Sequence, residues 1–138
     1  MVASEEMRAF FEAYNTASNA LEADGLARFF GDVCLAAAPG FAAATTSLQE
    51  LRDVLGPLVE FYRGIERGPV HLASIEEQSL GAAHALVTVG WTTTFPRVAG
   101  PVVFTISYLV QRGDPPHIIG FVSHDDERAM LTALGIAL

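Results

Sequence analysis

His124 and Asp125 directly follow the last run of strand-forming residues and are the polar pair best suited to chemistry in this chain. A neutral imidazole there could serve as a base at about pH 7. The same stretch also reads as a helix start, with Ser123, Asp125 and Asp126 as capping groups and His124 as their solvated neighbour. Adjacent strand residues face opposite ways, so both side chains reach one pocket only if the strand has already ended. Tyr14 lies in the apolar stripe of the first helix, as a core or pocket-wall residue whose hydroxyl needs one partner. His71, His84, Glu76 and Glu77 could gather round a metal only in one particular strand register. The chain has no HxH or HExxH spacing, so neither a metal nor a cofactor is expected. His117 follows Pro115-Pro116 and reads as a loop or strand start. Cys34, the only cysteine, sits between Val33 and Leu35 and reads as a buried structural thiol.

The elements that must position these groups fall into two halves. Met7, Phe10, Phe11, Tyr14, Ala17 and Leu21 recur at helical spacing behind Ser4, a plausible N-cap, and leave Glu5, Glu12, Asn15 and Asn19 on the other side. A short second helix is predicted after Asp24, with Leu26, Phe29 and Phe30 as its buried stripe. Pro39-Gly40 breaks the next segment into short extended pieces. Ser47 and Glu50 form a capping box for a third helix carrying Leu48, Leu51, Leu55, Leu58, Val59 and Tyr62, which Gly56-Pro57 should kink. Strand patterns then cover Val70 to Ser79, His84 to Phe95, Val102 to Gln111 and His117 to Ser123, before a closing helix with Met130, Leu131 and Leu134. Helices first and strands after predicts an α+β fold in one domain, residues 1–138. A straight His84 to Phe95 strand would span about 40 Å, against a radius of gyration of about 14 Å for such a domain. The sheet must therefore curve, and Gly90 is the natural bend.

Composition narrows the partners. The net charge is −8 and the eight basic residues are scattered arginines, which argues against nucleic acid and against an anionic membrane surface. No apolar stretch approaches the ~20 residues of a spanning helix. The acidic start Ser4-Glu5-Glu6 differs from the basic start of a secretory signal and predicts a cytoplasmic protein. Hydrophobic residues make up 51% of the chain, a surplus that predicts a cavity or a partner subunit. Val87, Val89, Trp91, Thr93 and Phe95 share one strand face, and Phe104, Ile106, Tyr108 and Val110 share another. Pattern alone leaves open whether these faces meet helices, a ligand or a second subunit.

The segment Phe10 to Asn15, the helix from Asp24 to Phe30, the Pro39-Gly40-Phe41 turn and the four strands resemble the nuclear transport factor 2-like superfamily. The likeness is strongest to its SnoaL-like polyketide cyclase and ketosteroid isomerase-like branches. It implies a cone: three N-terminal helices packed on a strongly curved, mainly antiparallel sheet, with a short C-terminal helix. It also implies an apolar pocket between the long helices and the concave face, and homodimers through the sheet face. In isomerase-like relatives a helix-one tyrosine, matched by Tyr14, hydrogen-bonds a developing enolate, and a carboxylate just before the proline turn moves the proton. Ala38 stands at that carboxylate's place, and a methyl group cannot accept a proton. The resemblance also favours a histidine at the cavity mouth, so His124 and Tyr14 are the catalytic candidates. Phe10, Tyr14, Tyr62, Trp91, Phe104, Tyr108 and His124 are the expected pocket lining. The expected function is a pocket for a hydrophobic small molecule, as in a lyase, isomerase or cyclase. The alternative is a noncatalytic ligand-binding or dimerisation module.

Overall fold

The computed structural model describes residues 2–136. Helix α1 spans Glu5–Ala20, and the Ser4 hydroxyl accepts from the Met7 amide at 3.3 Å to cap it. Met7 and Phe11, one turn apart, are completely buried. The flank expected to face solvent is in part engaged, which corrects the simple two-sided reading. The Asn19 carboxamide donates to the Val70 carbonyl at 3.0 Å and accepts from the Val70 amide at 2.7 Å. The side chain thereby pairs like a strand residue and pins the end of α1 to the segment entering the third strand.

Helix α2 (Ala23–Ala27) buries Leu26 and Ala27. Phe30 does not extend its stripe as expected but opens strand β1 (Phe30–Ala38). Pairing with Ile118 outcompetes another helical turn there, and the Phe29 carbonyl already accepts from the Ile118 amide at 2.8 Å. Gly40, at φ 76, takes the left-handed turn position that leads into β2 (Phe41–Thr45). Helix α3 (Leu48–Gly64) starts at Ser47, whose hydroxyl accepts from the Glu50 amide at 3.2 Å. The reciprocal bond lands one residue earlier than a regular capping box, with Thr46 donating its amide to Glu50 at 2.7 Å. The helix runs on through Pro57, and Leu51, Leu55 and Val59 form its buried stripe. Leu48 and Leu58, expected in that stripe, lie at its margin and stay exposed.

Strands β3 (His71–Leu80), β4 (His84–Thr93), β5 (Val102–Gln111) and β6 (His117–Ser123) precede helix α4 (Glu127–Ala133). The six strands form one curved sheet in the order β2-β1-β6-β5-β4-β3. Every pairing is antiparallel except β1 with β6. Ala85, Val87, Val89, Trp91, Tyr108 and Val110 are buried on the inner face against Met7 and Phe11 of α1. The β4–β5 register passes through Gly90 without a shift, so the expected bulge is not on that strand pair. It sits on β3, between Leu72 and Ser74. Gly90 instead makes room: a Cβ there would collide with the Ser74 hydroxyl.

A polar clasp closes the β3 side. Glu77, on the inner face and 8% exposed, accepts from the Ser4 amide at 2.9 Å and from the Ser4 hydroxyl at 2.7 Å. Arg112 bridges Glu77 and Glu6. Burial raises the Glu77 carboxyl, but the bonds from Ser4 and Arg112 outweigh it and hold the group below the usual carboxylate range.

Candidate functional site

The inner face of the cone is an aromatic cluster centred on Tyr14. Its ring meets Phe29 edge-on at 5.5 Å between centroids, and lies 5.9 Å from both Trp91 and Tyr108. Phe10 packs edge-on against Phe11 at 5.0 Å and Phe29 at 5.5 Å, and Phe121 lies 6.2 Å from Tyr108. Such offset and edge-on contacts are the favoured ring geometries. Because Phe11, Trp91 and Tyr108 are almost completely buried, the rings fill the deep part of the cone.

Polar atoms thread through this apolar cluster. The Trp91 indole donates to the Tyr108 hydroxyl at 3.0 Å, beside the Tyr14 ring. Burial pushes the Tyr14 hydroxyl up to about 12, against smaller lowering effects from Tyr108 and the charge of Arg67. Tyr108 is raised well above the ordinary range, first by burial. Both tyrosines therefore stay protonated across the physiological range, each keeping a hydroxyl hydrogen that can be donated.

Exposure varies along the inner face. Phe104, Ile106 and Phe121 are half-buried, whereas Tyr108, Val110 and Ile118 on the same strands are buried. Beyond them lies the wide end of the cone, its mouth, where α3 ends and α4 begins and where Phe95, Val102 and Leu131 form a second buried apolar cluster. Glu66, left-handed at φ 54, terminates α3. The Arg67 amide donates to Tyr62 and the Glu66 amide to Arg63, each at 3.1 Å, which is the Schellman arrangement. The turn brings the Arg67 guanidinium over the Tyr62 ring, 4.3 Å from its centroid. Arg67 Nη2 donates to the Ser18 carbonyl at 3.2 Å, while Arg67 Nε is buried without a partner. The Tyr62 hydroxyl donates to Glu127 Oε2 at 3.0 Å. Glu127 lies in the first turn of α4, next to the cap Asp126, which accepts from the Ala129 amide at 3.0 Å.

Charge at the mouth is balanced but strained by burial. Burial raises the Glu127 carboxyl, opposed by the Tyr62 hydrogen bond and by Arg67 and reinforced by Asp125. Arg67 is lowered by burial, opposed by Tyr62, Glu127 and Tyr14. Such a group of mutually coupled titratable side chains is the physical mark of a candidate site.

Of the expected residues, Tyr14, Trp91 and Tyr108 meet directly, Phe10 packs on their rim, and Phe104 and Tyr62 lie towards the mouth. His124 does not join them. It is exposed, and its Nε2 is 2.7 Å from Ser107 Oγ, which is 2.9 Å from Thr88 Oγ1. Ser107 and Thr88 alternate with the buried Tyr108 and Val87, so His124 joins a polar ladder on the outer face of the sheet. The carboxylate of Asp125 is occupied too, accepting from the Thr105 amide at 2.9 Å. Arg67 and Glu127 were missed in the sequence because neither belongs to a motif. Their only signals are an arginine just past a helix end and an acidic residue in a helix's first turn.

Cys34 is buried, and desolvation raises its thiol to about 11. Among the described residues no group of three His, Cys, Asp or Glu side chains could hold a metal ion. Among the described residues no helix is long and apolar enough to cross a membrane. Two surface grooves lie away from the aromatic cluster. One, of about 290 Å³, is lined by Glu76, Gln78, Leu86 and Thr88. The other, of about 380 Å³, lies between the α1–α2 junction and α3, lined by Leu21, Asp24, Val59 and Arg63.

No protein-family model matches the sequence, and no functionally curated protein is significantly similar to it. Solved structures do match. An NTF-2 like protein of unknown function from Shewanella oneidensis has a TM-score of 0.68 and 16% identity, with 88% of this chain and 98% of that one covered. A cystatin-like fold protein of unknown function from Nostoc punctiforme has a TM-score of 0.70 and 10% identity, covering 91% and 96%. A protein with a ketosteroid isomerase-like fold from Catenulispora acidiphila, solved in complex with trimethylamine, has a TM-score of 0.61 and 13% identity, covering 99% and 96%. Helix order, the curved six-stranded sheet and these neighbours agree: the chain has the α+β cone fold of the nuclear transport factor 2-like proteins.

Proposed function

We propose that the protein, as a single cytoplasmic domain, binds a hydrophobic small molecule at the mouth of the cone, in the manner of the SnoaL-like and isomerase-like branches. The observation that carries this reading is the line of inward polar groups, Trp91, Tyr108, Tyr14, Arg67, Tyr62 and Glu127, set among aromatic rings. A core built only for packing gains nothing from burying so many polar atoms, whereas a ligand site needs a few of them on apolar walls. The Catenulispora neighbour, solved with trimethylamine, supports a small-molecule role for this fold. Tyr14 is the donor for a ligand oxygen, and any proton transfer falls to Glu127, since Ala38 offers no base and His124 faces away. The cytoplasmic setting is in keeping with the lone unpaired thiol of Cys34.

The outer sheet face supports a second element of this reading, a homodimer. Leu35, Val103 and Val122 are about half exposed there. The outward residues of β4 and β5 carry no Asp, Glu or Arg on a chain of net charge −8, which suits contact with a second copy.

The binding test uses the neutral fluorophore N-phenyl-1-naphthylamine, with Trp91 as the sole tryptophan reporter. Saturable binding that is lost in Tyr14→Ala and retained in His124→Ala is expected. Absence of saturable binding to the folded wild-type protein would overturn the pocket reading.

A further inference from the structure

The outer face of the sheet, read above as the contact with a second copy, places a titratable ring between its exposed valines. Val122 pairs with Ser107 and Ser123 with Ile106, so the next residue, His124, falls beside Thr105, to whose carbonyl its amide donates at 2.9 Å. One step further along the outward side of β5 comes Val103. His124 therefore lies between Val122 and Val103, both about half exposed. A second copy laid over both valines must also lie over the imidazole between them.

A neutral imidazole can be covered there at little cost. Its Nε2 is bonded to Ser107 Oγ, which is bonded to Thr88 Oγ1, so that nitrogen is satisfied within the subunit. A protonated ring is different. Both its nitrogens must donate, and taking its charge out of water costs far more unless an anion meets it. The strands alongside offer no anion: the outward residues there are Val103, Thr105 and Ser107 on β5 and Thr88 and Thr92 on β4. The other titratable outward groups are His71 and Glu76 of β3, His84 of β4 and His117 of β6. Glu76 stands beyond Thr88, three strands from β6. Asp125 and Asp126 follow His124 in the chain, but one accepts from the Thr105 amide and the other caps α4.

We infer that the homodimer is gated by pH through His124: each subunit must keep this ring neutral to pair, and proton uptake drives the copies apart. The gate rests on the homodimer reading above and adds its regulation. The paired state disfavours the protonated ring, so the separated chain binds the proton more tightly and the dimer weakens as pH falls from about 8 to about 5.5, where histidine changes charge. The twofold covers two such rings per dimer, which steepens the response. The sign is opposite to that of the chain as a whole. With a net charge of −8, acidification brings two copies closer to neutrality and on that ground alone helps them meet.

The test is sedimentation equilibrium of the whole chain over a dilution series from about pH 8 to about pH 5.5 at fixed ionic strength, with circular dichroism at each pH. The wild-type dissociation constant should rise at least about tenfold over that range. In His124→Gln, whose amide can still bond Ser107, it should stay level or fall. A wild-type constant that does not rise, or one that rises only where the circular dichroism is also lost, overturns the inference and leaves the dimer standing. The same rise in His124→Gln overturns it too. If His124→Gln does not pair at about pH 8, the His124 imidazole signal in wild-type NMR spectra decides: it should titrate at lower pH in concentrated than in dilute protein, and one midpoint at both concentrations overturns the inference. A wild type that is monomeric at every pH overturns the gate and the homodimer together.

Discussion

Truncating Glu77 tests whether the clasp between α1 and β3 holds the cone shut. Glu77→Ala removes an acceptor for the Ser4 amide, for the Ser4 hydroxyl and for Arg112. Hydrogen bonds to a charged group contribute about 1.5–3 kcal/mol each, but three on one carboxylate are not additive, and its own desolvation cost disappears with it. Arg112 also keeps Glu6 at 2.9 Å, so it is not stranded. The expected loss is about 3 kcal/mol, equivalent to a fall in Tm of about 10 °C for a domain of this size. Urea denaturation should show it as a lower midpoint at unchanged slope. Glu77→Gln adds the pH test. The folded-state carboxyl is held below its unfolded value, so ionised Glu77 stabilises above the unfolded value, about pH 4, and that gain disappears as pH falls through the folded value. The stability gap between wild type and Glu77→Gln should stay constant from neutrality to about pH 5 and narrow as pH falls below about 4. A loss under about 0.5 kcal/mol in Glu77→Ala, or a gap that does not narrow at all as pH falls below about 4, would refute the reasoning.

Three further outcomes can be measured. Gly90→Ala should cost about 1 kcal/mol through its collision with the Ser74 hydroxyl, and Ser74→Ala in that background should recover most of it in a double-mutant cycle by chemical denaturation. Glu66→Gly should stabilise by up to about 1 kcal/mol, because Glu66 holds a left-handed backbone at φ 54 that glycine adopts without strain; a thermal melt reads the sign. Light scattering should give a dimer mass for the wild type and a monomer mass for Val103→Asp with Val122→Asp, both folded by circular dichroism. A monomeric wild type at micromolar concentration would remove the homodimer from the proposed function.

The fold was more legible than the site, for physical reasons. Helical periodicity gave α1 and α3, and β5 and β6 begin and end where the apolar alternation does, because burial on one face imposes that pattern directly. Misreadings fell where a partner distant in sequence decides. Phe30 left the α2 stripe because Ile118 pairs with it, and Asn19, exposed as expected, also turns its carboxamide to the Val70 backbone. Gly90 was read as the bend of its strand, but the extra residue sits on the neighbouring strand, and what the glycine relieves is crowding against Ser74. At the site, Tyr14, Trp91 and Tyr108 could be found because aromatic residues in apolar stripes announce an interior. His124 was misplaced because one residue of strand phase decides which face a side chain takes. Arg67 depends on a turn with a left-handed glutamate, for which the local sequence carries no glycine signal.

The parallel pairing of β1 with β6 has a bearing on how the chain is made. Leu35 to Ala37 bond to β2 on one side, but their other neighbours, Gly120 to Val122, are synthesised much later. Until those residues leave the ribosome, the β1–β2 hairpin presents an open edge carrying exposed Leu35 and Phe41. Loop closure over that separation must come before the contact that rewards it, which makes this the slow junction of the sheet. A nascent chain stalled before β6 should therefore hold a formed hairpin and helices but an unclosed cone, and would be the species most in need of a chaperone.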